Sequence, residues 1–93
     1  MEFEWDESKS NRCLQDRGFD FAFAARAFFD PNRQVAEDDR YAYGEPRYRL
    51  TGAIEGRLFV VAYTLRGEVV RIISARKANQ REITAHENRQ ASH

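Results

Sequence analysis

Apolar and polar residues alternate along Phe3-Glu4-Trp5, which is the period of a short strand with Phe3 and Trp5 on one face. Asp6 stands where it can cap a helix from about Glu7 to Arg17, and Gly18 can end that helix in the left-handed region. This first helix is thinly apolar, with Cys13 and Leu14 its chief nonpolar residues. A second helix is expected from Phe21 to Phe29, capped by Asp20 and stopped by Asp30-Pro31. Phe21, Ala24, Ala25 and Phe28 follow helical spacing, so it has a buried face. After Pro31 the period shortens. Gln34 to Glu37 reads as a weak strand and Asp38 to Gly44 as a charged, aromatic loop. Arg47 to Ile54, Arg57 to Arg66 and Val69 to Ala75 then read as strands joined at Glu55-Gly56 and around Gly67. Connections this short require antiparallel neighbours. Asn79 can cap a last helix over about Gln80 to Asn88, which leaves Arg89 to His93 as a polar tail.

The short loops also set the register. A two-residue loop at Glu55-Gly56 pairs Ile54 with Arg57, Arg49 with Ala62 and Arg47 with Thr64. An even-length loop near Gly67 keeps Thr64 and Arg66 on the face of Val69, Arg71 and Ile73. One face then carries Tyr48, Leu50, Phe59, Val61, Tyr63, Val70 and Ile72, a core against the two N-terminal helices. The other carries Arg47, Arg49, Thr51, Thr64, Arg66 and Arg71, an open face without an acid among these positions. A one-residue slip would expose the aromatic and aliphatic set, which the hydrophobic effect opposes. The expected fold is α+β: an antiparallel twisted sheet, two N-terminal helices packed on one face, and a short C-terminal helix.

Composition narrows the possibilities. A chain of 93 residues has room for one core, here residues 1–88. With 42% hydrophobic and 32% charged residues it suits a soluble domain. No apolar run approaches a membrane span and no basic, apolar leader follows Met1, so a cytoplasmic location is expected. The lone Cys13 cannot close an intrachain disulfide. The net charge of zero conceals a division, since residues 1–46 hold eleven acids and six bases, and residues 47–93 nine bases and four acids. Such asymmetry suggests a basic face opposite an acidic one. The bases comprise thirteen Arg and two Lys, and Arg suits bidentate phosphate contacts and stacking on nucleobases.

No nucleotide-binding glycine loop, metalloprotease helix or nucleophile elbow occurs. Cys13, His86 and His93 are the only usual nitrogen and sulfur ligands, so neither a metal nor another cofactor is expected. Metal-free RNA cleavage fits the composition better. It needs a base for the 2′-hydroxyl, cations for the phosphorane and an acid for the leaving 5′-oxygen. The run Arg71 to Lys77 leads into a helix where Glu82 and His86 lie one turn apart. Glu82 can act as a base or hold Arg76 or Arg81, and His86 suits acid–base work.

Several motifs resemble a known family. Trp5-Asp6-Glu7-Ser8-Lys9, Gly18-Phe19-Asp20-Phe21, Phe29-Asp30-Pro31 and Gly44-Glu45-Pro46-Arg47 match its pattern in order. So do Arg66-Gly67, the run Arg71-Ile72-Ile73-Ser74-Ala75-Arg76-Lys77-Ala78, and Arg81-Glu82. Over about residues 3–86 the chain resembles BrnT, the toxin of a type II toxin–antitoxin pair with a RelE-like ribonuclease fold. The resemblance implies an endoribonuclease that arrests translation by cutting RNA, free or on the ribosome. It also implies a ribbon-helix-helix antitoxin of the BrnA type, through which operator DNA is bound. Residues and resemblance together nominate Arg71, Arg76, Glu82 and His86 as catalytic, with Arg47, Arg49, Arg66 and Lys77 binding RNA and Glu45 and Ser74 supporting them. Three positions depart from the family pattern: Cys13 replaces an Asn, Asp16-Arg17 a Lys-His pair, and His86 a Tyr. Asp16-Arg17 and His86 motivate the alternative of a decayed toxin that still binds antitoxin and helps repression, and a simple nucleic-acid-binding module is a third reading.

Overall fold

A computed structural model describes residues 1–38 and 44–91 of the chain. Its elements are β1 (Glu2–Trp5), α1 (Glu7–Arg17), α2 (Phe21–Ala24), β2 (Gln34–Glu37), β3 (Tyr48–Ile54), β4 (Arg57–Arg66), β5 (Val69–Lys77) and α3 (Gln80–Ala91). Most of the loop expected over Asp38 to Gly44 lies outside the described residues. The fold class is α+β, with the five strands in one sheet ordered β1-β5-β4-β3-β2. The sheet is mixed, which corrects the antiparallel expectation. β2 to β5 alternate in direction, whereas β1 runs parallel to β5 and pairs Glu2 to Trp5 with Val69 to Ile72. A hairpin turn forces antiparallel neighbours, but β1 and β5 are far apart in sequence and no turn constrains them.

The N-terminal caps form as expected. Asp6 accepts from the Lys9 amide at 3.3 Å, and Gly18 closes α1 at φ 85° with its N–H on the Leu14 carbonyl. Asp20 accepts from the Phe23 amide at 2.9 Å, and buried Ser10 of α1 accepts from the Phe21 amide at 3.0 Å, tying the two helices together. The expected second helix is α-helical only to Ala24 and tightens into a 3₁₀ turn over Ala25–Phe29. This turn lies directly on β3. A Cβ placed on Gly52 would stand 2.5 Å from the Ala27 carbonyl oxygen, while Ala24 and Ala27 are fully buried. Small residues on both sides let backbone meet backbone there.

The core lies between this helical layer and the inner face of the sheet. Cys13, Phe19, Phe21 and Phe28 meet Leu50, Phe59, Val61, Tyr63, Val70 and Ile72. Edge-to-face rings hold it, with Phe19 and Phe59 at 5.0 Å and Phe28 and Tyr63 at 5.0 Å. Cys13 is a core residue whose thiol burial pushes up, with Arg17 opposing that shift and Asp20 and Asp16 adding to it.

The β3–β4 register follows the two-residue turn, whose Glu55 and Gly56 take φ 51° and 80°. Its pairs run from Ile54 with Arg57 to Tyr48 with Tyr63. Arg47 lies before β3, so its expected pairing with Thr64 is not made. Instead the buried Thr64 hydroxyl donates to the Pro46 carbonyl at 2.6 Å. In β5 the register shifts by one, because Tyr63 pairs with Ile72 while Ala62 pairs with Ser74. Ile73 is the extra residue of a β-bulge. Simple alternation from Arg71 would carry Ile73 and Ala75 outward and turn Arg76 into the core. The bulge instead sends Ala75 into the core beside Val61, and Ser74 and Arg76 to the face of Arg71.

The outer face is not fully open. Ile83 and His86 of α3 share a cavity lining with Ala53 and Leu58, and Val60 is buried although it points to that face. α3 continues past Asn88 to Ala91, so Arg89 to Ala91 belong to the helix. Arg89 donates to the Gln34 side chain at 3.1 Å, and Gln34 donates to the His86 carbonyl at 3.4 Å. These bonds tie the helix end to β2.

Gly52→Ala is expected to lower the unfolding free energy by about 1–3 kcal/mol, the usual range for overpacking. Urea unfolding should show a lower midpoint at an unchanged slope.

Candidate functional site

Three strands deliver polar side chains to the outer face. β3 brings Arg49 and Thr51, β4 brings Thr64 and Arg66, and β5 brings Arg71, Ser74 and Arg76 through the bulge. The sheet positions expected on this face include no acid, but the neighbouring elements supply three. Glu4, set opposite Arg71 by the parallel pairing of β1, accepts from its Nη1 at 2.5 Å. Glu45 stands 3.6 Å from Arg66 in a largely exposed pair. Glu82 at the start of α3 receives both arms of Arg76, at 2.7 and 2.8 Å. Glu4 and Glu45, from the acidic first half of the chain, are counterions of the basic half.

Glu82 is the most tightly held carboxylate among these. Its Oε1 accepts from the Asn79 amide at 2.9 Å, and the Asn79 side chain accepts from the Glu82 amide at 2.9 Å. This reciprocal pair is a capping box with Asn in place of Ser or Thr. The Arg76 hydrogen bonds are the largest cause holding the carboxyl down at about 2; the Asn79 amide and the Arg76 and Arg49 charges help, and burial opposes them. At neutral pH Glu82 is an ionised anchor for the Arg76 guanidinium and a weak base. Arg49 lies near it, and both line a cavity of about 200 Å³ with Arg81, His86 and Arg89.

The remaining nominated residues are spread more widely. His86 is buried at 7% exposure, with Nε2 3.2 Å from the Gln90 side-chain amide nitrogen and, among the described residues, no hydrogen-bond partner at Nδ1. It helps seat α3 on the sheet and also lines the Arg49 cavity. Arg47 is half-buried, and its carbonyl accepts from the Asp38 amide at 2.8 Å. Ser74 is exposed beside the stretch of β5 that β1 does not cover. Lys77 is separated from the arginines of the outer face. Its pairing with Phe59 turns it to the inner face, at the mouth of a groove of about 480 Å³ floored by Phe19, Phe23 and Phe59. The residue missed from the sequence is Glu4. Alternation in Phe3-Glu4-Trp5 does put Glu4 on the face away from the core, but its neighbour Arg71 depends on a pairing between distant segments.

The arrangement is that of an α+β protein with an arginine-rich sheet face on which Arg66, Arg71 and Arg76 are each paired with a carboxylate. Residues 5–82 match the family model described as the ribonuclease toxin, BrnT, of a type II toxin–antitoxin system. The chain belongs to this BrnT toxin family, a membership that brings an RNA substrate and an antitoxin partner. A comparison with curated proteins finds no match. No helix of the described residues is long and apolar enough to cross a membrane.

The depressed Glu82 carboxyl gives a pH signature. A carboxyl lowered on folding stabilises the protein fully above its unfolded value of 4.5, and that contribution is lost as pH falls toward about 2. Wild-type protein should therefore lose on the order of 1–3 kcal/mol more stability than Glu82→Gln between pH 5 and 2, measured by urea unfolding.

Proposed function

We propose that the chain is a metal-independent endoribonuclease that inhibits translation, with a RelE-like arrangement of sheet and helices. The single observation behind this reading is the shared face of Arg49, Arg71, Ser74 and Arg76, which depends on the bulge at Ile73. Attack of a ribose 2′-hydroxyl on the adjacent phosphodiester builds negative charge on the phosphorane and expels the 5′-oxygen. Preorganised cations lower the barrier to such a step. Arg76 is preorganised by the Glu82 fork, and Arg71 lies farther along the same strand face. These two stabilise the phosphorane, while Arg47, Arg49 and Arg66 hold flanking phosphates and Ser74 donates to one of them. Glu45 steers Arg66. Lys77, next to Arg76 but on the other face, holds RNA that passes around the end of β5.

His86 is the proton-transfer group in this reading, reached through the cavity that it shares with Arg49. It is the least accessible of the assigned residues. Its burial favours a second reading, in which the site is catalytically silent and the chain binds antitoxin and RNA only. In both readings the partner is a BrnA-like ribbon-helix-helix antitoxin, operator DNA is met only through that complex, and the setting is the cytoplasm.

Purified protein should cut RNA in EDTA, and Arg76→Ala should lower kcat by about 10²–10³-fold, the usual effect of removing a donor to a developing anion. His86→Gln should lower kcat by about 10²-fold with RNA binding retained. An unchanged kcat in His86→Gln would assign the imidazole to helix packing alone. Intact RNA with the wild-type protein, both free and on ribosomes, would leave the second reading.

A further inference from the structure

We propose that Glu4 is a resident anion in a phosphate subsite of the arginine face, and that a phosphodiester of the RNA displaces it from Arg71. The inference rests on the ribonuclease reading and gives that site one defined subsite. Glu4 reaches Arg71 from a strand 67 residues away in sequence, through one hydrogen bond from Nη1. Among the described residues this is the single polar contact of either side chain, and the two are 29% and 40% exposed. A guanidinium has five N–H donors, so most of Arg71's hydrogen-bonding capacity remains for another acceptor.

The contrast with the neighbouring pair separates an exchangeable anion from a fixed one. Glu82 is held at three points, by two nitrogens of Arg76 and by the Asn79 amide, and it closes the cap of α3. Displacing it would undo the helix start. Glu4 caps nothing and anchors no helix, and β1 stays paired to β5 through its backbone whether or not the carboxylate is engaged. A carboxylate and a phosphodiester each present two anionic oxygens suited to Arg, and on one guanidinium they repel each other as like charges, so the phosphodiester that takes Arg71 drives Glu4 off although donors remain.

This arrangement selects for a polyanion. A small anion must displace Glu4 for one contact, whereas an RNA strand whose flanking phosphates already engage Arg49 and Arg66 brings its scissile phosphate to Arg71 at high local concentration. Glu4 therefore weakens binding of isolated phosphates in proportion more than binding of a strand.

The test uses the full-length chain and a 2′-O-methyl RNA oligonucleotide, which lacks the attacking hydroxyl and stays intact during titration. Fluorescence anisotropy is recorded across a range of salt concentrations for wild type, Glu4→Gln, Arg71→Ala and the double variant. Glu4→Gln keeps the side chain's shape and one acceptor oxygen and removes the charge. It should bind about threefold tighter, the scale expected for a half-exposed ion pair. Its plot of log affinity against log salt should steepen by up to ~0.7, the value for one phosphate of a single strand, because the phosphodiester charge is no longer exchanged for a released carboxylate charge. In the Arg71→Ala background, Glu4→Gln should change neither quantity. Equal or weaker binding by Glu4→Gln with the wild-type slope overturns the inference, and so does the same gain without Arg71. If the wild-type protein binds no RNA even at low salt, the ribonuclease reading falls and the inference with it. Wild-type binding with an inert Glu4→Gln overturns the inference alone.

Discussion

The site depends on one surplus residue in β5. Ile73 has no partner across the ladder to β4, and the strand beyond it is turned over relative to the strand before it. A side-chain period of two leaves no intermediate choice, so one inserted residue reverses the direction of every residue that follows. Ala75 goes to the core, where its small side chain fits beside the fully buried Val61. Arg76 goes outward, where Glu82 can grip both guanidinium nitrogens. Burying an unpaired guanidinium in an aromatic core would be strongly unfavourable, so the bulge and the core composition support each other.

A second constraint is electrostatic. Arginines gathered on one sheet face repel one another, and the fold offsets this with carboxylates brought from outside the β3–β5 meander. The pairs differ in strength for physical reasons. Arg76 and Glu82 form a partly buried fork tied into a helix cap, whereas Arg66 and Glu45 at 3.6 Å are an exposed pair of the kind worth little. The pair of Arg71 and Glu4 lies between them, short but single-stranded in its hydrogen bonding. A neutral total charge thus describes a molecule whose basic surface is prepared with its own counterions.

Much of the element structure was legible because it follows from local rules. Asp6, Gly18 and Asp20 mark helix ends through hydrogen bonds within a few residues, and the Glu55-Gly56 turn sets the β3–β4 register for the whole hairpin. The bulge left a trace that strict alternation overlooks. The buried positions of β5 are Val70, Ile72 and Ala75, so the spacing changes from two to three beside the exposed Ser74. The second helix ends at Phe29, where Asp30-Pro31 stops it, but its last five residues take 3₁₀ geometry where they meet Gly52, a residue of another strand. Lys77, expected to bind RNA with Arg47, Arg49 and Arg66, faces the other way, because it follows Arg76 in β5 and adjacent strand residues point to opposite faces.

What the sequence determined by itself was the set of elements, the inner face of the sheet, the arginine content and the motifs of a toxin ribonuclease. These rest on interactions between near neighbours, on hydrophobic periodicity and on residue identity. The tertiary structure alone decided that β1 joins β5 in parallel, that Glu4 meets Arg71, that α3 covers part of the arginine face and that His86 is buried beneath it. Each of these joins segments with no short loop between them. Their placement follows from how the whole chain buries its apolar surface and neutralises its charge, which no local pattern records.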